Sequence, residues 1–110
     1  MEKTYNKLVR DNIPNIIKNN GETPITRILT NEEYKQELEK KLYEEYQEVL
    51  ESSGEDRIEE LADMLEVIKA LAKLENKDLE DIINIANQKN SKRGAFNDKI
   101  FLEKVITNNK

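Results

Sequence analysis

The chain is 110 residues long and carries 18 Lys+Arg against 23 Asp+Glu, a net charge of −5. That length suits a single domain spanning 1–110, and that charge disfavours binding of a nucleic-acid polymer through a broad basic surface. Cysteine and histidine are both absent, which removes disulfides, thiolate nucleophiles, thiolate or imidazole metal sites and the commonest general base.

Residues 11–19 read as a short helix: Pro14 lies in its first turn, Ile13, Ile16 and Ile17 are apolar, and Asn20-Gly21 ends it. Residues 23–29 read as extended, and Pro24 limits them to an edge or irregular strand. Thr30, followed three residues on by Glu33, is a capping box that opens a long helix to about Ser52. Ser52-Ser53-Gly54-Glu55 reads as a turn with its own Ser-x-x-Glu box, ahead of a second long helix from about Glu55 to Leu74. Asn76-Lys77-Asp78 breaks that helix and caps another over about 78–90, with Leu79, Ile82, Ile83 and Ala86 at i, i+3, i+4, i+7. Lys89, Lys92, Arg93 and Gly94 close it, and Ile100-Phe101-Leu102 is a short apolar segment of no assigned type.

The expected fold is therefore all-α. It is an antiparallel helical bundle with short links and with short irregular or extended segments near both termini. Only 36% of residues are hydrophobic and 5% aromatic, so the core is aliphatic and thin, and oligomerisation is expected to complete it. No apolar run exceeds three residues, and Met1-Glu2-Lys3-Thr4 leads into polar sequence. A cytoplasmic protein with no membrane partner is the expectation.

Two departures from ordinary amphipathic patterning stand out. On the first long helix, Leu38, Leu42, Tyr46 and Val49 define the apolar centre at about 100° per residue. Glu45 falls about 60° from that centre by the same wheel, with Glu48 nearer the rim, where Leu or Ala would be ordinary. On the second, Ile58, Leu61, Leu65, Ile68 and Ala72 form one stripe and Met64, Val67, Leu71 and Leu74 another. Together they are wider than a surface helix needs, so a second subunit is expected on one side. Glu60 sits inside that arc and Asp63 at its edge.

Each long helix thus carries an acidic pair at i, i+3, Glu45/Glu48 and Glu60/Asp63, one turn apart on one face. An antiparallel hairpin brings the pairs together if their heights match. Carboxylates converging in a semi-apolar groove raise one another's pKa, and burial raises it further. A divalent cation removes the conflict, and all-oxygen ligation selects Mg²⁺, or Mn²⁺, over zinc. The basic residues Lys89, Lys92 and Arg93, and Lys7 and Arg10 near the N-terminus, are candidate phosphate ligands beside such a site. Cations at a helix C-terminus also favour the helix dipole, and Arg10-Asp11 also reads as a surface pair.

Lys41-Leu42-Tyr43-Glu44-Glu45-Tyr46-Gln47-Glu48, followed by Glu59-Glu60-Leu61-Ala62-Asp63-Met64-Leu65, resembles the MazG-like all-α nucleoside triphosphate pyrophosphohydrolase superfamily. Its hallmark is Glu-x-x-Glu, a spacer, then Glu-x-x-Asp. The start, Lys7-Leu8-Val9-Arg10-Asp11-Asn12-Ile13-Pro14, and the segment Lys92-Arg93-Gly94-Ala95-Phe96 resemble its compact phosphoribosyl-ATP pyrophosphohydrolase-like subgroup. The resemblance implies a Mg²⁺-dependent enzyme that cleaves a nucleotide between the α and β phosphates, releasing a monophosphate and pyrophosphate. It implies Glu45, Glu48, Glu60 and Asp63 as metal ligands, and Lys89, Lys92 and Arg93 as phosphate contacts. Lys7 and Arg10 fall in the matching N-terminal motif.

The expected chemistry is in-line attack by water, with Glu45 or Glu48 accepting the proton. The nucleobase would lie between helices, against Tyr46 or a neighbouring subunit, and the assembly is expected to be a homodimer or homotetramer. Two other readings stay open at this point. One is a helical interaction module whose acids are merely solvated; the other is a protein that binds a nucleotide without turning it over.

Overall fold

A computed structural model describes residues 1–108. Every regular element in it is a helix: α1 (Ile13–Asn19), α2 (Asn31–Glu51), α3 (Gly54–Leu74) and α4 (Leu79–Arg93). The chain divides into two compact units, Met1–Leu79 and Glu80–Lys110. The first contains α1 and the packed pair α2 and α3. The second contains α4 from Glu80 onward and the irregular segment that follows.

Local signals set most of the boundaries. Pro14 starts α1, and Gly21, at φ +82°, ends it. There the Glu22 N–H donates to the Ile17 carbonyl and the Gly21 N–H to the Lys18 carbonyl, the two bonds of a Schellman closure. The same pair of bonds ends α3, from Lys77 to Ala72 and from Asn76 to Lys73, with Asn76 at φ +59°. The Thr30 box is formed in both directions: the Glu33 N–H donates to Thr30 Oγ1 at 3.2 Å, and the Thr30 N–H donates to Glu33 Oε1 at 3.1 Å. Arg27 grips the same Glu33 carboxylate with both terminal guanidinium nitrogens, Nη1 and Nη2, and this holds the Glu33 pKa down at about 2.

Three expectations need correction. Residues 23–29 form no strand; they are irregular, because Pro24 lacks an N–H and no partner strand runs beside them. The box expected at Ser52 is absent. Ser52 is extended and its Oγ donates to the Val49 carbonyl, while Ser53 takes the N-cap position without a side-chain bond. Helix α4 runs on to Arg93 rather than stopping near 90, since Lys and Arg are good helix formers and the first left-handed residue is Gly94, at φ +82°.

The link between α2 and α3 is only Ser52-Ser53, so two 21-residue helices fold back on each other as an antiparallel hairpin. Their shared core is small: Leu38 and Val49 from α2, Val67 and Ala72 from α3. Among the described residues no side chain is completely enclosed. Ile58, Leu61 and Leu65, the first three positions of one α3 stripe, are exposed, while Ala72 at its end and Val67 of the other stripe are buried. No helix among the described residues is long and apolar enough to cross a membrane.

In so small a core each apolar contact weighs heavily. Leu38 is 3% exposed, and Leu38→Ala should cost about 2–5 kcal/mol, against about 1 kcal/mol for Thr30→Ala at the cap. Urea unfolding followed by helical circular dichroism measures both.

Candidate metal centre

The apolar seam of α2 does not run where simple amphipathicity puts it. Leu38, Glu45 and Val49 are its buried residues, and Leu42 is half-buried. Those four recur at i, i+4, i+7, i+11, the spacing of a packed helix seam. Tyr46, expected at the centre, is exposed, with its ring 6.3 Å from that of Tyr43. Glu45 takes the central place and is only 9% exposed.

Across the seam α3 presents Glu60 and Asp63, both half-buried. Glu45, Glu60 and Asp63 each bring one carboxylate oxygen to within 4.8 Å of the others. Three of the four acids expected to converge therefore do so. Glu48 stands beside them and is more exposed, and a hydrogen bond links its carboxyl to that of Glu60.

The electrostatics are those of an unresolved conflict. Glu45 Oε2 and Glu60 Oε2 are enclosed and have no hydrogen-bond donor. Burial pushes the Glu45 pKa up, and the charges of Glu48 and Asp63 add to this. Glu60 rises to about 7, first through its hydrogen bond with Glu48, then through burial and the charges of Glu48, Asp63 and Glu45. With carboxylates this close and partly buried, proton retention on Glu60 is favoured when no cation is present. Lys41, one turn before Glu45, opposes the rise but pairs with Glu44 at 3.8 Å. The donor set is oxygen only and gathered within 4.8 Å across the α2–α3 seam, which suits a hard divalent ion.

One cation reaches the cluster from far away in the chain. Arg10 Nη2 donates to Asp63 Oδ1 at 2.7 Å across 53 residues. This partner has no local spacing that would reveal it, and sequence patterning placed Arg10 only among phosphate ligands or with Asp11. Arg10 also lines a shallow hollow of about 220 Å³ with Ala62, Leu65, Glu66, Lys69 and Leu79. Lys69 is a cation that the sequence reading did not single out.

Lys7 is exposed, with its Nζ 5.6 Å from the centre of the Tyr5 ring. Lys89, Lys92 and Arg93 are exposed on the last turns of α4, in the second unit. Arg93 there lines a second hollow with Phe96, Lys99 and Ile100.

No family model, curated protein or solved structure matches this chain. The geometry and chemistry of the acidic cluster carry the functional argument by themselves.

The raised Glu60 pKa makes metal-free stability depend on pH. Between the unfolded value near 4.5 and the folded value of about 7, the folded state holds the extra proton. That stabilisation is complete below about 4.5 and is lost as pH rises through about 7. In EDTA the protein should therefore melt at a lower temperature at pH 7.5 than at pH 5.5. Millimolar Mg²⁺ at pH 7.5 should raise the melting temperature again, because an ion that binds only the folded state stabilises it. Thermal melts at the two pH values, with and without Mg²⁺, test this; the Glu60→Gln protein should show a smaller pH slope.

Proposed function

We propose that the protein is a divalent-metal-dependent nucleotide pyrophosphohydrolase of the MazG-like kind. It would hydrolyse a nucleoside triphosphate or related nucleotide between the α and β phosphates, giving a monophosphate and pyrophosphate. The observation that carries this reading is Glu45: a carboxylate nine-tenths buried, with an unpartnered oxygen, facing Glu60 and Asp63 in a groove between two helices. Burying an unpaired charge is costly, and an interaction helix gains nothing from it. A bound cation turns that cost into a binding site.

In this proposal Glu45, Glu60 and Asp63 hold the ion by carboxylate oxygens, with Glu48 as a further ligand or as the base. When bound, Mg²⁺ or Mn²⁺ supplies positive charge against the phosphates and acidifies water. Water attacks phosphorus in line, the bridging α–β P–O bond breaks, and pyrophosphate leaves. The proton of the attacking water passes to a motif carboxylate. The greater exposure of Glu48 favours it over Glu45 in that role. Lys7 and Arg10, in the same unit as the acidic cluster, are proposed to neutralise the phosphates and the leaving group. With nucleotides as substrates, the cytoplasm is the proposed compartment.

A panel of nucleoside triphosphates assayed for pyrophosphate release, with Mg²⁺ and then with EDTA, tests the proposal. Release should require the metal. Glu45→Gln and Asp63→Asn should each lower turnover by on the order of 100-fold or more while helical content stays intact. Full activity in either variant overturns the site.

We also propose that a second copy covers the exposed Ile58, Leu61 and Leu65 of α3, giving a homodimer or homotetramer. Light scattering at micromolar concentration should report at least twice the monomer mass of 12.9 kDa; a monomer overturns the assembly.

A further inference from the structure

The acidic cluster contains a cation of its own. Arg10 Nη2 lies 2.7 Å from Asp63 Oδ1, and Asp63 is one of the three acids whose oxygens converge. Arg10 comes from the irregular segment ahead of α1, not from either helix of the hairpin. Its side chain is 59% exposed and that of Asp63 is 44% exposed, so the pair is solvent-screened and holds loosely. A guanidinium has five N–H donors in a planar fork, and here one of its nitrogens bonds Asp63. The same side chain borders the hollow that Lys69 also lines. Arg10 thus stands between two destinations: an anionic carboxylate on one side and, on the other, an open hollow lined by Lys69 and by Glu66, its loose partner at 3.8 Å.

We propose that Arg10 is an exchangeable counter-ion. In the metal-free protein it neutralises Asp63; a divalent ion displaces it; the freed guanidinium then binds the anionic phosphate of the ligand beside Lys69. This rests on the metal-centre reading above and adds a regulation to it. Metal and phosphate become coupled through one side chain, which the metal must release before the anion receives its full set of donors. The direction follows from charge. An ion carrying two positive charges and coordinating several carboxylates outcompetes a single screened guanidinium. A released guanidinium forms stronger, charge-assisted bonds with phosphate oxygens than with water.

The consequence is a pair of effects with opposite sign. Removing Arg10 removes a competitor for Asp63, so the metal binds more tightly. It also removes a phosphate donor, so the anion binds more weakly. A purely structural role for Arg10 would weaken both together.

The test uses the full chain and its Arg10→Gln variant. Free Mn²⁺ is titrated by electron paramagnetic resonance with no anion present, and manganese pyrophosphate is titrated by calorimetry at saturating Mn²⁺. Circular dichroism confirms that the variant is folded. Arg10→Gln should bind Mn²⁺ about threefold more tightly, in keeping with one screened ion pair. It should bind manganese pyrophosphate about tenfold more weakly, in keeping with one lost charge-assisted donor. If the natural chain binds Mn²⁺ but the variant binds it equally or more weakly, or keeps its pyrophosphate affinity, the exchange is overturned and the metal centre stands. If the natural chain binds no Mn²⁺, the metal centre and the exchange fall together.

Discussion

The carboxylate of Glu45 occupies the place in the α2 seam where a leucine would ordinarily pack, and the rest of the site is arranged around it. Leu38 and Val49 on its own helix, with Val67 and Ala72 on the next, form the only apolar core the hairpin has. Placing an acid in the middle of so small a core weakens the packing and adds a desolvation cost. The cluster answers that cost locally. Glu60 takes up a proton near neutral pH, Arg10 reaches across to Asp63, and Lys41 lies one turn away. Each answer is partial, since enclosed oxygens on Glu45 and Glu60 still lack a donor. Metal affinity in this reading is the other face of a folding defect, and ion binding and hairpin stability are one equilibrium.

The division of labour among the acids follows from their depth. Glu45 is buried and cannot easily follow a moving ligand; Glu60 and Asp63 are intermediate; Glu48 is exposed. A ligand set needs fixed oxygens, while a proton acceptor must meet water. In the proposed function, the gradient from the seam to the rim would separate the two tasks across the facing sides of α2 and α3, with no histidine in the chain to serve either. Proton uptake by the cluster in the absence of an ion makes metal binding proton-coupled, because the ligands must be deprotonated to coordinate.

Much of this was readable from residue order. The Thr30–Glu33 box and Pro14 located helix starts, and the two i, i+3 acidic pairs located the cluster. Other features were hidden for identifiable reasons. A helical wheel sends acids outward by default, so the seam was drawn through Tyr46 when it passes through Glu45. Ser52 and Glu55 have the spacing of a cap, but the N-cap position falls one residue later, on Ser53, and the Ser52 hydroxyl is turned back onto the Val49 carbonyl. The Arg10–Asp63 pair joins residues that no periodicity connects. Spacing reveals what one helix does to itself; partners on different elements emerge only from the packed hairpin.

Gly54 sits at φ +58°, directly after the two extended serines. A left-handed residue here lets the chain reverse within a single step, and only glycine adopts that conformation without strain. The link is therefore a ruler as well as a hinge. A longer link would release α3 from its present register with α2 and let Glu60 and Asp63 move out of line with Glu45. Selection on the chemistry of the site would thus act on the length of a loop that bears no charge and touches no ligand.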